Sequence, residues 1–385
     1  MSFLFWGLVV LCLWSLAGYG IVWVALARLA GRREPVPEAD GAGLDVTMLI
    51  AARNEEAAIA AKLASVLSQD CGPHRLRVVV VSDGSEDATL VRARAVADAR
   101  LAVFETQGHG GKAAALSAGL ARIGGDVVIF SDANSLLEPG AIRALMAPFA
   151  DPAVGGVCGR PRPMRLRGGW LAGVEAMFWR YDSALKAAES ALGGAVSAQG
   201  TLYALRRELV PEPVPSDMAD DFYISVQAPA AGLRLAFAPA AVAIEAVTAR
   251  TGREFLRRVR STERGWRALW AMRRLMNPLT HGLYAIQLVS HKLARRLVAL
   301  ALPILFGLSL LLGARGQPYL AMAAVQLAVY GAGLLALFWP AARRVPGFGP
   351  AAFFLMGHAA MALGILRAAT GFRSTRWSPV REAEP

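Results

Sequence analysis

The chain has 385 residues, 55% of them hydrophobic and 18% charged, with a mean hydropathy of +0.41. That composition excludes an enzyme soluble throughout, and the apolar excess lies at the two ends. Most charges fall between about 45 and 280, leaving enough residues of mixed polarity for a soluble core and disfavouring a carrier built mainly of spans. The formal charge of +12 comes from arginines spread through this region and clustered beside apolar segments, which fits a cytoplasmic membrane surface rather than nucleic acid.

Residues 3–30, opening FLFWGLVVLCLW, carry no charge before Arg28 and lack a basic leader and a cleavage site, so they read as a retained membrane anchor. Arg28, Arg32 and Arg33 follow the anchor and nothing basic precedes it, placing the N-terminus outside and the main domain in the cytoplasm. A linker containing Pro and Gly covers 34–44. Short β-branched runs at 46–50, 78–81 and 126–130 each give way to polar residues and then a helical pattern, the alternation of a parallel α/β sheet. Ile59, Leu63, Val66 and Leu67 share the apolar face of one intervening helix. Ile142, Leu145, Met146 and Phe149 share that of another, with Pro139 in its first turn.

Residues 254–276 set Phe255, Val259, Trp266, Leu269, Trp270 and Met272 among seven arginines, which suits a helix on an anionic membrane or an ordinary amphipathic surface helix. Residues 282–296 continue in that style, with His291, Lys292, Arg295 and Arg296 leading into a span at about 297–313. The short ARGQP connection then leads to a span at about 318–339. The last apolar stretch, 351–366, has about 16 residues against the about 17 to 25 of a spanning helix. An interfacial or re-entrant placement is favoured, because three spans keep the tail with Arg367, Arg373, Arg376 and Arg381 inside. The expected division is an anchor at 1–33, the linker, a cytoplasmic domain at 45–250, interfacial helices at 251–296, and membrane segments with a tail at 297–385. Cys12, Cys71 and Cys158 are too scattered for a disulfide framework or a zinc site.

Three polar clusters follow the three strands: Arg53-Asn54-Glu55-Glu56, Ser82-Asp83-Gly84-Ser85 and Ser131-Asp132-Ala133-Asn134. In a parallel sheet they share the carboxyl edge, where ligands bind. Taken singly, the second and third read equally well as turns and helix caps; together they point to a site. GHGGKA at 108–113 lacks the spacing of a P-loop, and no GxGxxG, HExxH or Gly-x-Ser-x-Gly pattern is present.

From about Val46 to Trp266 the chain resembles the membrane-bound glycosyltransferases of family 2. The resemblance is carried by AARNEE at 51–56, VVVVSDGSEDAT at 78–89, GGKAAALSAGL at 110–120, FSDANSLLEPGAI at 130–142, ESALGGAVSAQGTLYALRREL at 189–209 and MADDFYISVQAPAAGLRLAF at 218–237. It implies an α/β GT-A fold with a mainly parallel sheet, flanked by transmembrane and interfacial helices. It also implies transfer with inversion, from a nucleotide sugar expected to be UDP-linked to a lipid-linked or growing surface glycan. The setting would be a bacterial-type inner membrane with the catalytic domain cytoplasmic, and nucleic acid is not an expected partner.

By the same resemblance Arg53, Asn54 and Glu55 lie near the nucleotide, Asp83 with Gly84 binds its uracil or ribose end, and Lys112 faces that pocket. Asp132 is expected on a divalent cation, Mg²⁺ or Mn²⁺, that offsets the leaving group's charge. Asn134 stands where the family commonly has a second acid, which weakens ligation and leaves metal-independent action open. Asp221 matches the base that takes the acceptor's proton, with Asp220 beside it in a structural role. Gly200-Thr201-Leu202, with Arg206 and Arg207 beyond, is expected to shape the acceptor side. Processive relatives carry Gln-x-x-Arg-Trp; here Ser-Thr-Glu-Arg-Gly-Trp at 261–266 departs from it, leaving Arg264 for the diphosphate and Trp266 for stacking on an acceptor sugar. The competing readings are a weakened scaffold or binding subunit of an envelope-glycan assembly, and a nucleotidyltransferase, which AARNEE disfavours by its charge.

Overall fold

The aliphatic runs become strands because the sheet they form is covered on both faces. In the computed structural model, which describes residues 1–31, 43–164, 170–245 and 251–372, the strands are β1 (Asp45–Ala52), β2 (Arg75–Ser82), β3 (Leu101–Glu105), β4 (Val127–Phe130), β5 (Ser135–Leu137), β6 (Val154–Pro163), β7 (Tyr203–Arg206) and β8 (Arg234–Glu245). Alternate side chains of β1 enter opposite cores. Met48, Ile50 and Ala52 join Ile59, Leu63 and Val66 of helix Ile59–Leu67, while Leu49 and Ala51 join Leu116 and Leu120 of helix Lys112–Leu120. Ile142, Leu145, Met146 and Phe149 are buried in the first core, as their spacing predicts, and Leu67 packs partly buried at its edge.

The strand order is β3-β2-β1-β4-β7-β6-β8-β5. The first four strands are parallel, as expected. The other half is mixed, because β7 pairs antiparallel with β4 and β6, and β5 pairs antiparallel with β8. This is the α/β architecture anticipated from the alternation of strands and helices.

Among the described residues, four helices are long and apolar enough to cross a membrane: Ser2–Ala30, Pro278–Arg315, Gln317–Phe338 and Phe348–Ala369. The last is longer than the 351–366 stretch that favoured an interfacial or re-entrant placement. Its 22 residues extend beyond the 351–366 stretch at both ends and span about 33 Å at 1.5 Å per residue, enough for a hydrocarbon core of about 30 Å. Pro350 lies in the first turn, where a missing N–H costs nothing. Phe5, Val9 and Cys12 of the first helix pack on Val298, Ala301 and Leu305 of the second. The stretch 282–296, read as interfacial, runs on into that second helix from a kink at Gly282, whose φ is +52°. Helix Thr251–Ala271 lies against Phe348–Ala369 at Gly364, where a Cβ would come within 2.7 Å of the Val259 carbonyl oxygen. Arg32, Arg33, residues 34–42 of the linker, and the tail with Arg373, Arg376, Trp377 and Arg381 lie outside the described residues.

Candidate active site

Since β1, β2 and β4 run parallel side by side, Arg53, Asp83 and Asp132, each one or two residues past a strand end, emerge at one edge. At the first two strands the polar groups bind one another. Arg53, 9% exposed, donates from Nη1 to the carbonyl oxygens of Asp83 and Gly84, both at 2.8 Å, and from Nη2 to Glu86 at 3.0 Å. Asn54 adopts a φ of +50°, and its Oδ1 accepts the Glu86 N–H at 2.9 Å. Glu55 is buried, and its N–H donates to Thr89 Oγ1 at 2.6 Å.

Asp83, expected on the uracil or ribose, has no exposed surface. Its Oδ1 accepts the Gly110 N–H at 2.9 Å; its Oδ2 accepts the Gly111 N–H at 2.8 Å and meets His109 Nδ1 at 2.7 Å. Gly84, at φ +58°, packs so closely on this loop that a Cβ would lie 2.8 Å from the Gly108 carbonyl carbon. Both Asp83 oxygens are thus engaged in shaping the 108–111 loop. The sequence signal for this was the Gly-His-Gly-Gly run, which a comparison with P-loop spacing passes over.

Lys112 follows the loop as the first residue of its helix. Its Nζ stands 2.7 Å from Asp132 Oδ1 and 2.9 Å from Asp220 Oδ2. Burial opposes its charge, but the two carboxylates outweigh that and hold the ammonium well above its ordinary range. The lysine expected to face the nucleotide therefore joins the candidate cation ligand to the acid beside the candidate base. Gly200 lies against Asp132, whose N–H donates to the Gly200 carbonyl at 3.1 Å, and a Cβ at 200 would sit 2.9 Å from Asp132 Oδ2. Gly200 thus serves the Asp132 turn. Arg206 and Arg207 instead reach the Val154 carbonyl at 2.9 Å and the Leu120 carbonyl at 3.3 Å. Because β7 runs antiparallel to β4, Arg206 pairs with Val127 at the opposite end of the strand from Asp132.

Two further charged residues at this turn escaped the sequence reading. Lys62, fully buried on helix Ile59–Leu67, donates to Ser131 Oγ at 2.6 Å and to the Ser135 carbonyl at 2.7 Å, while Ser131 Oγ donates to the Thr201 carbonyl at 2.5 Å. It holds the 131–135 turn from behind. Burial, partly offset by Asp132, brings its pKa down to about 7. Glu245, the last residue of β8, pairs in register with Ser135; burial first, then the charge of Asp132, push its pKa up to about 7. Carboxylate and amide oxygens from Asp132 and Asn134 suit a hard cation that takes its remaining ligands from phosphate and water. Among the described residues, no group of three His, Cys, Asp or Glu side chains is placed to hold a metal by itself.

Asp220 and Asp221 open helix Asp220–Ser225, where the dipole favours acids. Burial raises Asp220, but Lys112 and Arg264 outweigh it and hold its pKa below the usual range. Asp221 is half-buried, and its Oδ1 accepts the Phe222 N–H at 2.7 Å. Burial and the neighbouring Asp220 raise its pKa, which suits a proton acceptor. Arg264 donates from Nε to the Met218 carbonyl at 3.0 Å and from Nη2 to the Ser216 carbonyl at 3.3 Å, so it clamps the loop that presents the two acids. Trp266 lies half-buried on the same helix.

Residues 43–277 match the family described as Glycosyltransferase like family 2. Similar proteins include an N-acetylglucosaminyltransferase of Rhizobium leguminosarum bv. viciae, 26% identical over 60% of this chain and 57% of that protein. Another, from Mesorhizobium japonicum, is 30% identical over 52% of each chain. The chain thus spans little more than half the length of the curated relatives it matches. Among solved structures, the mannosyltransferase PcManGT from Pyrobaculum calidifontis, in complex with GDP-Man and Mn²⁺, superposes with a TM-score of 0.72 at 23% identity, over 95% of this chain and 99% of that one. That likeness covers the long apolar helices as well as the sheet and shows a shared fold. Since the family match extends over well over half of its residues, the chain belongs to the glycosyltransferases of family 2.

Proposed function

We propose that the protein is a membrane-embedded inverting glycosyltransferase. It moves a sugar from a nucleotide sugar, UDP-linked by preference, to a lipid-linked or growing cell-surface glycan. The observation that carries this reading is the line of charges Asp132, Lys112, Asp220 and Asp221 across the strand-end edge of a family 2 domain. Asp221 takes the acceptor hydroxyl's proton as that oxygen attacks the anomeric carbon. The bond from that carbon to the β-phosphate oxygen breaks, and the nucleoside diphosphate leaves. A divalent cation, Mg²⁺ or Mn²⁺, held by Asp132 with Asn134, would offset the charge developing on the diphosphate. Lys112 bridges Asp132 and Asp220 and keeps Asp220 ionised. The relatives' shared name favours a UDP-linked donor, and the mannosyltransferase's GDP-Man keeps GDP-sugars in the test. Arg28 in the last turn of the first helix supports a cytoplasmic domain in a bacterial-type inner membrane, and four crossings would return the tail to the side of the N-terminus.

The test is nucleoside diphosphate release by the full chain, purified with native lipids, from a panel of UDP- and GDP-sugars with Mg²⁺, Mn²⁺ or chelator, alongside donor binding. Release from one donor, dependent on cation and absent in Asp221→Asn, is expected. Failure to bind any nucleotide sugar overturns the reading in favour of a scaffold.

A further inference from the structure

Resting on that reading, one more residue can be assigned. Arg264, the arginine that sequence places on a diphosphate, spends its guanidinium on two carbonyl groups. Its neighbour Gly265 is buried and has no side chain, and Arg296 Nη2 stands 2.7 Å from where a Cβ would be. If the Gln-x-x-Arg-Trp pattern is laid on Trp266, its arginine falls at 265. The space left by that missing side chain is filled by a guanidinium arriving from the membrane helix Pro278–Arg315.

Arg296 donates from Nη1 to the Lys292 carbonyl at 3.1 Å; among the described residues, its Nη2 and Nε have no hydrogen-bond partner. It lies near enough to Asp221 for the two charges to attract without forming an ion pair among the described residues. Without a cation there, the Asp221 carboxylate would repel any phosphate brought beside it, and a planar guanidinium fork matches a phosphate oxyanion. We infer that Arg296 binds a phosphate presented between Asp221 and helix Thr251–Ala271, through the space that Gly265 leaves open. The phosphate would come from the donor's diphosphate or from a phosphate-bearing lipid acceptor.

The test uses the full chain in detergent and two probe classes: UDP and GDP with Mn²⁺, and geranylgeranyl phosphate. Arg296→Gln should weaken one class by about tenfold or more, the diphosphates if the donor is the source and the lipid phosphate if the acceptor is. Adding Gly265→Arg to Arg296→Gln returns a guanidinium from the other helix and should recover most of that loss. Gly265→Ala only pushes the Arg296 fork aside and should weaken the same probe, which keeps the test alive if Arg296→Gln fails to fold. Wild-type affinity for both classes in Arg296→Gln, or in Gly265→Ala where that variant alone folds, overturns the assignment. A wild-type protein that binds neither class overturns the functional reading and this assignment with it.

Discussion

At the strand ends, Arg53, Asp83 and the 108–111 loop satisfy one another through short hydrogen bonds, and a buried lysine braces the Asp132 turn from behind. Toward the long apolar helices, Asp221, Trp266 and Arg296 come from three separate helices and are half-buried. The first arrangement is a preformed cradle whose polar groups are committed before any ligand arrives. The second keeps donors and acceptors in reserve. On the proposed reading, a site that holds one nucleotide but admits a bulky acceptor is served by that asymmetry, because preorganisation strengthens binding only where the ligand's shape is constant.

The comparison breaks most visibly at Asp221. Asp221→Asn should lower kcat by about 10²- to 10⁴-fold with donor affinity kept near wild type, as measured by steady-state turnover beside nucleotide binding; parallel loss of binding would mean that the two sides are not separable. Lys62→Met removes the brace without touching the predicted ligands, and should cost about 10- to 100-fold in activity, with a higher cation requirement in a metal titration. Gly200→Ala forces Asp132 to shift and should cost about tenfold, recoverable in part by raising the cation concentration. The acid limb of kcat/KM should lie above the ordinary aspartate range of about 3.9, because activity needs the Asp221 carboxylate and is lost as pH falls through its raised pKa. Asp220→Asn removes one of the charges raising that pKa and should move the limb to lower pH. Arg75→Ala breaks only an exposed ion pair with Asp45 and should leave both activity and melting temperature unchanged.

Much of the strand-end side could be read from residue order. The near-continuous apolar run of β1, buried on both faces, and the Ile59, Leu63, Val66 face are local patterns, and three clusters following parallel strands had to share an edge. What escaped was the partner of each charge. Lys62 carries no signal in its own helix, because its function depends on a turn about 70 residues away in the chain. Asp83 matched the family pattern, yet its oxygens are taken up by the loop at 109–111. The fourth apolar helix looked short because hydropathy drops at its two ends, where capping and a first-turn proline still permit helix.

By itself, then, the sequence determined the long apolar flanks, the alternating α/β core, the edge on which the polar clusters stand and the family they resemble, since each depends on periodicity or on residues contiguous in the chain. Only the tertiary structure decided that Lys112 joins Asp132 to Asp220, that Arg206 lies at the end of β7 away from Asp132, that Arg264 clamps a loop and that Arg296 enters the space at Gly265. Those pairings depend on where distant backbones cross. A charge's partner is chosen by distance and burial in three dimensions, and neither leaves a trace in local spacing.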